Sequence, residues 1–161
     1  KDGDESSVLR KAENFESYIP LINYLTNNNF LIFLNGDYNI KKNFEKEIIN
    51  KDLFFNCDKK AKDRQEYEIF SFLNSGIFIG NQGGARLLAA YSDLKIGLDI
   101  FPPKDFFFNE KVLYKKIYFV SEKRYLDDKE INDYKKKSNL KIENNSSENL
   151  IKFVKLKINN S

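Results

Sequence analysis

The chain has 161 residues, enough for one domain with a single hydrophobic core, and 41% of them are hydrophobic, which excludes a wholly disordered polymer. Its 27 basic and 24 acidic residues nearly cancel, so bulk charge gives no argument for a nucleic-acid partner. No histidine is present, and Cys57 is the single cysteine, so the sequence holds no imidazole base, no histidine-ligated zinc and no intrachain disulfide. Proton transfer by this chain would fall to a carboxylate or a tyrosine.

Residues 1–13 read as a polar entry segment without apolar period. The lack of an initiator methionine and of a signal-peptide apolar stretch suggests a fragment of something longer. From Asn14, a capping residue type, Phe15, Tyr18, Ile19, Ile22 and Leu25 recur at helical spacing, and Asn27-Asn28-Asn29 ends the pattern. No uninterrupted apolar run is longer than residues 30–34, too short to span a membrane, and these residues predict a buried strand closed by the turn Asn35-Gly36-Asp37. Ile40, Phe44, Ile48 and Ile49 suggest a short amphipathic helix over 40–50. A strand follows over 53–56, with Cys57 at its end as a small core residue.

Residues 63–74 predict a helix with Tyr67, Phe70 and Leu73 on its inner side, finished near Ser75-Gly76. Ile77-Phe78-Ile79 is a brief strand that runs into Gly80-Asn81-Gln82-Gly83-Gly84, and residues 85–91 are helical in composition. Residues 95–100 form the next strand, stopped by Phe101-Pro102-Pro103. Beyond it lie an extended segment over 112–120 and a short helix over 127–134 opened by Asp127-Asp128. The closing amphipathic helix carries Leu150, Ile151, Phe153, Val154 and Leu156, with Asn145 as cap and Glu148 three residues on. This alternation implies an α/β fold: a Rossmann-like, doubly wound, mostly parallel sheet with helices on both faces.

The glycine turn is the first candidate site. A strand ends, a helix begins, and the unpaired N–H groups of that first turn, together with the helix dipole, suit an anion. Gly83 and Gly84 permit close approach of a diphosphate, Asn81 and Gln82 add amide donors, and Arg86 reaches for a phosphate oxygen. The plainer alternative is a tight strand-to-helix turn, since the run is neither a phosphate-loop signature nor a dinucleotide fingerprint. Gly36 and Asp37 end a different strand, where Asp37 either accepts from a ribose or sugar hydroxyl or caps the next helix. Arg10 is an anion contact or a surface arginine. Asp99 is a further carboxylate at a strand end. Lys115-Lys116 and Lys135-Lys136-Lys137 read as solvated faces.

Several blocks, taken in order, carry a resemblance: Arg10 with Asn14-Phe15-Glu16-Ser17-Tyr18-Ile19-Pro20, residues 31–37 ending in Gly-Asp, Phe78-Ile79-Gly80-Asn81-Gln82-Gly83-Gly84, Lys115-Lys116 with Arg124-Tyr125-Leu126 and Glu130-Ile131, and residues 144–151. Together they resemble the C-terminal half of bacterial GT-B-type glycosyltransferases of surface-polysaccharide biosynthesis. Gly83 stands where that family usually has serine, and Leu34 where a basic residue often precedes Gly-Asp.

The resemblance implies that residues 14–161 form a Rossmann-like donor-binding domain, one half of a GT-B enzyme. Arg10, Gly36, Asp37, Asn81, Gln82, Gly83, Gly84 and Arg86 would hold the diphosphate of a nucleotide-sugar. The catalytic base and a glycan acceptor would belong to an N-terminal domain. It further implies no metal, no separate cofactor, no nucleic-acid partner and a cytoplasmic location, at most peripheral to the inner face of the membrane. A nucleotide-sugar epimerase-like domain and a non-catalytic half-domain kept for assembly are the alternatives.

Overall fold

The computed structural model describes residues 15–35, 44–56, 62–80, 95–100, 113–114, 116–127, 130 and 139–159, and the fold is mixed α/β. The first helix opens as a single 3-10 turn, Phe15–Tyr18, before α1, Ile19–Asn27, with Pro20 in its first turn, where a missing N–H goes unnoticed. Asn14, the expected cap, lies outside the described residues. The asparagine run closes α1 as a Schellman motif: Phe30 N–H donates to the Leu25 carbonyl (3.0 Å), Asn29 N–H to that of Thr26 (3.1 Å), and Asn29 holds φ 63°. Asparagine tolerates this left-handed geometry better than other residues with a β-carbon. The motif draws Phe30 out of the expected strand, so β1 is Ile32–Leu34 and Leu31 is exposed.

The helix expected over 40–50 is not formed over its described part. Phe44–Glu47 is a 3-10 turn, and Asn23 of α1 intercepts the backbone just after it, donating to the Glu47 carbonyl (3.0 Å) and accepting from Ile49 N–H (2.9 Å). That clamp turns Ile48 inward at 2% exposure and Ile49 outward at 72%. A 3-10 turn, Lys51–Leu53, leads to β2, Phe54–Asn56, which pairs parallel with β1, Ile32 opposite Phe54. Next comes α2, Arg64–Leu73, and then β3, Ile77–Gly80, which pairs parallel with β4, Lys95–Ile100. At its far end β4 pairs parallel with β5, Leu113–Tyr114.

Neighbouring residues of β1 point to opposite faces. Ile32 and Leu34 pack with Ile19, Ile22 and Ile48, while Ile32 also joins Leu21 and Leu25 of α1 and Leu150 and Val154 of α3, Ser147–Asn159. Phe33 faces the other way, with its ring centroid 5.9 Å from Tyr67 and 6.2 Å from Phe70 of α2, both edge-on, and 5.9 Å from Phe55. The same division holds in β3, where Ile79 meets the α1–α3 cluster and the Phe78 ring lies 5.6 Å from Phe72 of α2. Helices therefore flank these strands on both sides.

The inner side of α2 matches the expected one in part. Tyr67 and Phe70 meet Phe33, but Phe70 keeps much of its surface exposed, Leu73 is exposed, and Ser71 is the buried residue, its Oγ accepting from Asn35 and so joining the helix to the end of β1 by a polar contact. The segment expected to be extended over 112–120 divides between two sheets. Its later part is β6, Lys116–Phe119, the central strand of an antiparallel sheet of order β7-β6-β8, with β7 Arg124–Tyr125 and β8 Leu140–Glu143. The mostly parallel expectation did not include this unit.

Asp127 opens the following turn as a reciprocal capping box: its Oδ1 accepts from Glu130 N–H (2.9 Å) while its own N–H donates to Glu130 Oε2 (3.2 Å). The cap of α3 sits one residue later than expected, where Ser146 Oγ accepts from Asn149 N–H (3.2 Å) and Asn145 is buried beside it. Leu156, expected on the inner face, is exposed. Ser147 Oγ donates to the Ser17 carbonyl at 2.6 Å and fastens α3 to the turn before α1.

Candidate functional site

β1, β3 and the end of α2 enclose a cleft of about 100 Å³. Its walls are Phe33 and Leu34 from β1, Phe72 from α2, and Ile77, Phe78 and Ile79 from β3, with Asn35, Ser71 and Ser75 as the polar lining. Each polar residue has a local origin. Asn35 is the first residue after β1; Ser71 lies one turn beyond Tyr67 on the side of α2 that meets β1; Ser75 follows the helix end and donates back to the Ser71 carbonyl.

The hydrogen bonds determine which way the Asn35 amide faces. Ser71 Oγ donates its one proton to the Glu68 carbonyl at 2.8 Å, so toward Asn35 it can only accept, and Asn35 Nδ2 donates to it at 2.6 Å. Asn35 Oδ1 is thereby turned away from Ser71, and it is buried without a hydrogen-bond partner among the described residues. A buried acceptor in that state costs about 1–3 kcal/mol and calls for a physical reason. The cleft as it stands is smaller than the roughly 300–1,000 Å³ that small-molecule sites occupy, so it suits one group of a ligand.

Of the candidate residues named from sequence, Arg10, Gly36, Asp37, Asn81, Gln82, Gly83, Gly84 and Arg86 lie outside the described residues, as do Cys57, Lys115 and the 135–137 cluster. Their flanks are described: Asn35 immediately precedes Gly36, and Gly80 ends β3 immediately before Asn81. Both candidate loops thus depart from the two strands that line the cleft. Asp99 lies within β4, opposite Leu113 of β5. Sequence reasoning missed Asn35, Ser71 and Ser75. The available signals were an amide directly after an apolar strand and a serine one helical turn from Tyr67.

Comparison with protein-family models, with curated proteins and with solved structures returned no match to this chain.

A second polar cluster lies on the antiparallel sheet. Arg124 forms two parallel bonds to Glu130 (2.6 and 2.7 Å) and a third to Glu122 (2.6 Å), so these carboxylates hold its guanidinium proton more firmly than usual. Tyr125 Oη donates to Glu143 Oε2 at 2.7 Å, and this bond raises the phenol pKa above its ordinary value. The cluster ties the β6–β7 hairpin to the Asp127 turn and satisfies its charges internally. Among the described residues no group of three or more metal-ligating side chains gathers, and no helix is long and apolar enough to cross a membrane.

Proposed function

We propose that this chain is the nucleotide-sugar-binding half of a bacterial GT-B-type glycosyltransferase, built on a doubly wound sheet. Joined along the cleft, the two parallel sheets would form one sheet of order β2-β1-β3-β4-β5, in which the winding reverses between β1 and β3. The observation that carries the reading is the placement of the connections on either side of β2. The segment from β1 to β2 sends Ile48 onto the face shared with α1, whereas α2, which leads from β2 to β3, packs on the opposite face against Phe33. Right-handed crossovers require that change of face when the winding direction reverses. Ligands of such sheets collect at the carboxyl ends of the strands beside the reversal.

Gly36 and Asp37 follow one of those two strands and residues 80–84 follow the other. On this reading the backbone N–H groups of the glycine turn, with Arg86, would stabilise the diphosphate as it leaves the transferred sugar. Asp37 would face a hydroxyl, and Arg10 would add an anion contact. A glycan acceptor and the catalytic base would belong to a separate domain, and the work would be cytoplasmic, at most peripheral to the membrane.

Calorimetric titration of the chain with UDP and GDP tests the reading. The parent is expected to bind at least one of them, and Gly84→Val, checked as folded by circular dichroism, to weaken that binding by roughly tenfold or more, equivalent to about 1.4 kcal/mol. A folded parent that binds no diphosphate would sink the proposal, and equal binding by both proteins would remove the glycine turn from the site.

A further inference from the structure

We propose that Asn35, Ser71 and Ser75 form a subsite for a neutral hydroxyl group of the ligand, a reading that deepens the nucleotide-sugar assignment by naming what enters the β1–β3 cleft. The hydrogen-bond inventory makes the case. Ser71 and Ser75 have each spent their single proton on a backbone carbonyl, and Asn35 has committed an amide N–H to Ser71. The side chains left to meet a ligand offer serine lone pairs and Asn35 Oδ1, which has no partner among the described residues, against one remaining amide N–H. Such a lining accepts hydrogen bonds and repels phosphate.

The rest of the wall narrows the chemistry further. Among the described residues the other lining is Phe33, Leu34, Phe72, Ile77, Phe78 and Ile79, with no carboxylate, so this wall offers a buried ammonium no counter-charge. The volume of about 100 Å³ suits a small group such as a hydroxyl-bearing carbon with its neighbours. A neutral alcohol satisfies both limits: its O–H donates to Asn35 Oδ1 and its carbon lies against the aromatic wall. The subsite therefore complements a donor-rich glycine turn, since the diphosphate would go to N–H groups and a hydroxyl to oxygen acceptors. Either the ribose or the transferred sugar can supply that hydroxyl.

Two probe pairs distinguish those sources by calorimetry: UDP against 2′-deoxy-UDP, and UDP-glucose against its 6-deoxy analogue, each measured on the parent and on Asn35→Ala. Loss of the contacted hydroxyl is expected to weaken parent binding by roughly three- to tenfold, one neutral hydrogen bond, and to leave Asn35→Ala nearly unaffected. The pair that behaves so identifies the source. Asn35→Asp, which keeps an acceptor oxygen, should retain the discrimination and serves if the alanine variant does not fold. Identical ratios in parent and variants for both pairs would overturn the subsite, the cleft then holding water only.

A parent that binds no nucleotide sinks the donor reading alone. The subsite is then tested on the parent by NMR of the Asn35 side-chain amide, with methyl β-D-ribofuranoside and inorganic phosphate as probes. A shift with the riboside and none with phosphate sustains the subsite, and the absence of a riboside shift overturns it.

Discussion

Replacing Ser71 by alanine isolates the polar contact that joins α2 to β1. The residue is 1% exposed, and the change removes one oxygen, so the cavity it creates is negligible. The Glu68 carbonyl loses a secondary partner. The main effect falls on Asn35, whose Nδ2 loses its 2.6 Å acceptor beside an Oδ1 that already has none. Leaving a buried donor unpaired costs about 1–3 kcal/mol, whereas removing both partners of a bond costs less. Ser71→Ala is therefore expected to lower the unfolding free energy by about 1–3 kcal/mol in urea titration, against about 0.5–1 kcal/mol for Ser75→Ala, which orphans no donor. Asn35→Ala combined with Ser71→Ala should be less destabilising than the sum of the two, by about 0.5–1.5 kcal/mol. If Ser71→Ala is no worse than Ser75→Ala and the pair is additive, Asn35 and Ser71 are not coupled and the assigned amide orientation fails.

The α1–α3 cluster should respond more strongly: Leu150→Ala, at a position 2% exposed, is expected to cost about 2–4 kcal/mol. Leu156→Ala on the same helix, 55% exposed, should change stability by at most about 0.5 kcal/mol, and comparable losses in urea melts would contradict the helix orientation. At Asn29, φ 63°, substitution by valine should cost about 1–2 kcal/mol and by glycine almost nothing; equal melting temperatures for the two would argue against the left-handed cap. The phenol of Tyr125 should titrate above the ordinary tyrosine range, because its bond to Glu143 favours the neutral form. A raised folded-state pKa means that whatever this bond contributes is present below the ordinary phenol pKa and is lost as pH rises through the folded value. Difference absorbance titration of the parent against Tyr125→Phe reads the value. Glu143→Gln should bring it down, and an unchanged pKa in that variant would contradict the bond.

The elements most legible in the sequence were those with strong local signals. The periodicity from Phe15 to Leu25, the asparagine run, the strand before Gly36, the helix over 63–74 and the strands β3 and β4 all correspond to described elements, with boundaries moved by a residue or two, while the helix expected over 85–91 lies outside the described residues. Those moves have causes in capping: Phe30 serves the end of α1, and Ser146 serves the start of α3. What sequence periodicity lacks is information about partners. The side on which α2 packs depends on Asn35, 36 positions from Ser71, and the fate of Ile48 and Ile49 on Asn23 in another helix. The antiparallel unit was hidden for a different reason. Its strands are two to four residues long and carry charged residues and tyrosines, too short for a period-2 pattern to stand out. The candidate ligand loops were legible as strand exits, which the structure describes up to Asn35 and Gly80.

The bond from Ser147 to the Ser17 carbonyl spans 130 positions, and the apolar stripe of α1 is completed by Leu150 and Val154 of α3. During synthesis, therefore, α1 emerges well before α3 and leaves Leu21 and Leu25 without Leu150 and Val154 until α3 has cleared the ribosome. A nascent chain halted before that point would carry an unsealed apolar helix, the kind of surface on which chaperones act and aggregation begins. Closure by so distant a segment also slows the search for the native state, since a large loop must shut before the core is rewarded.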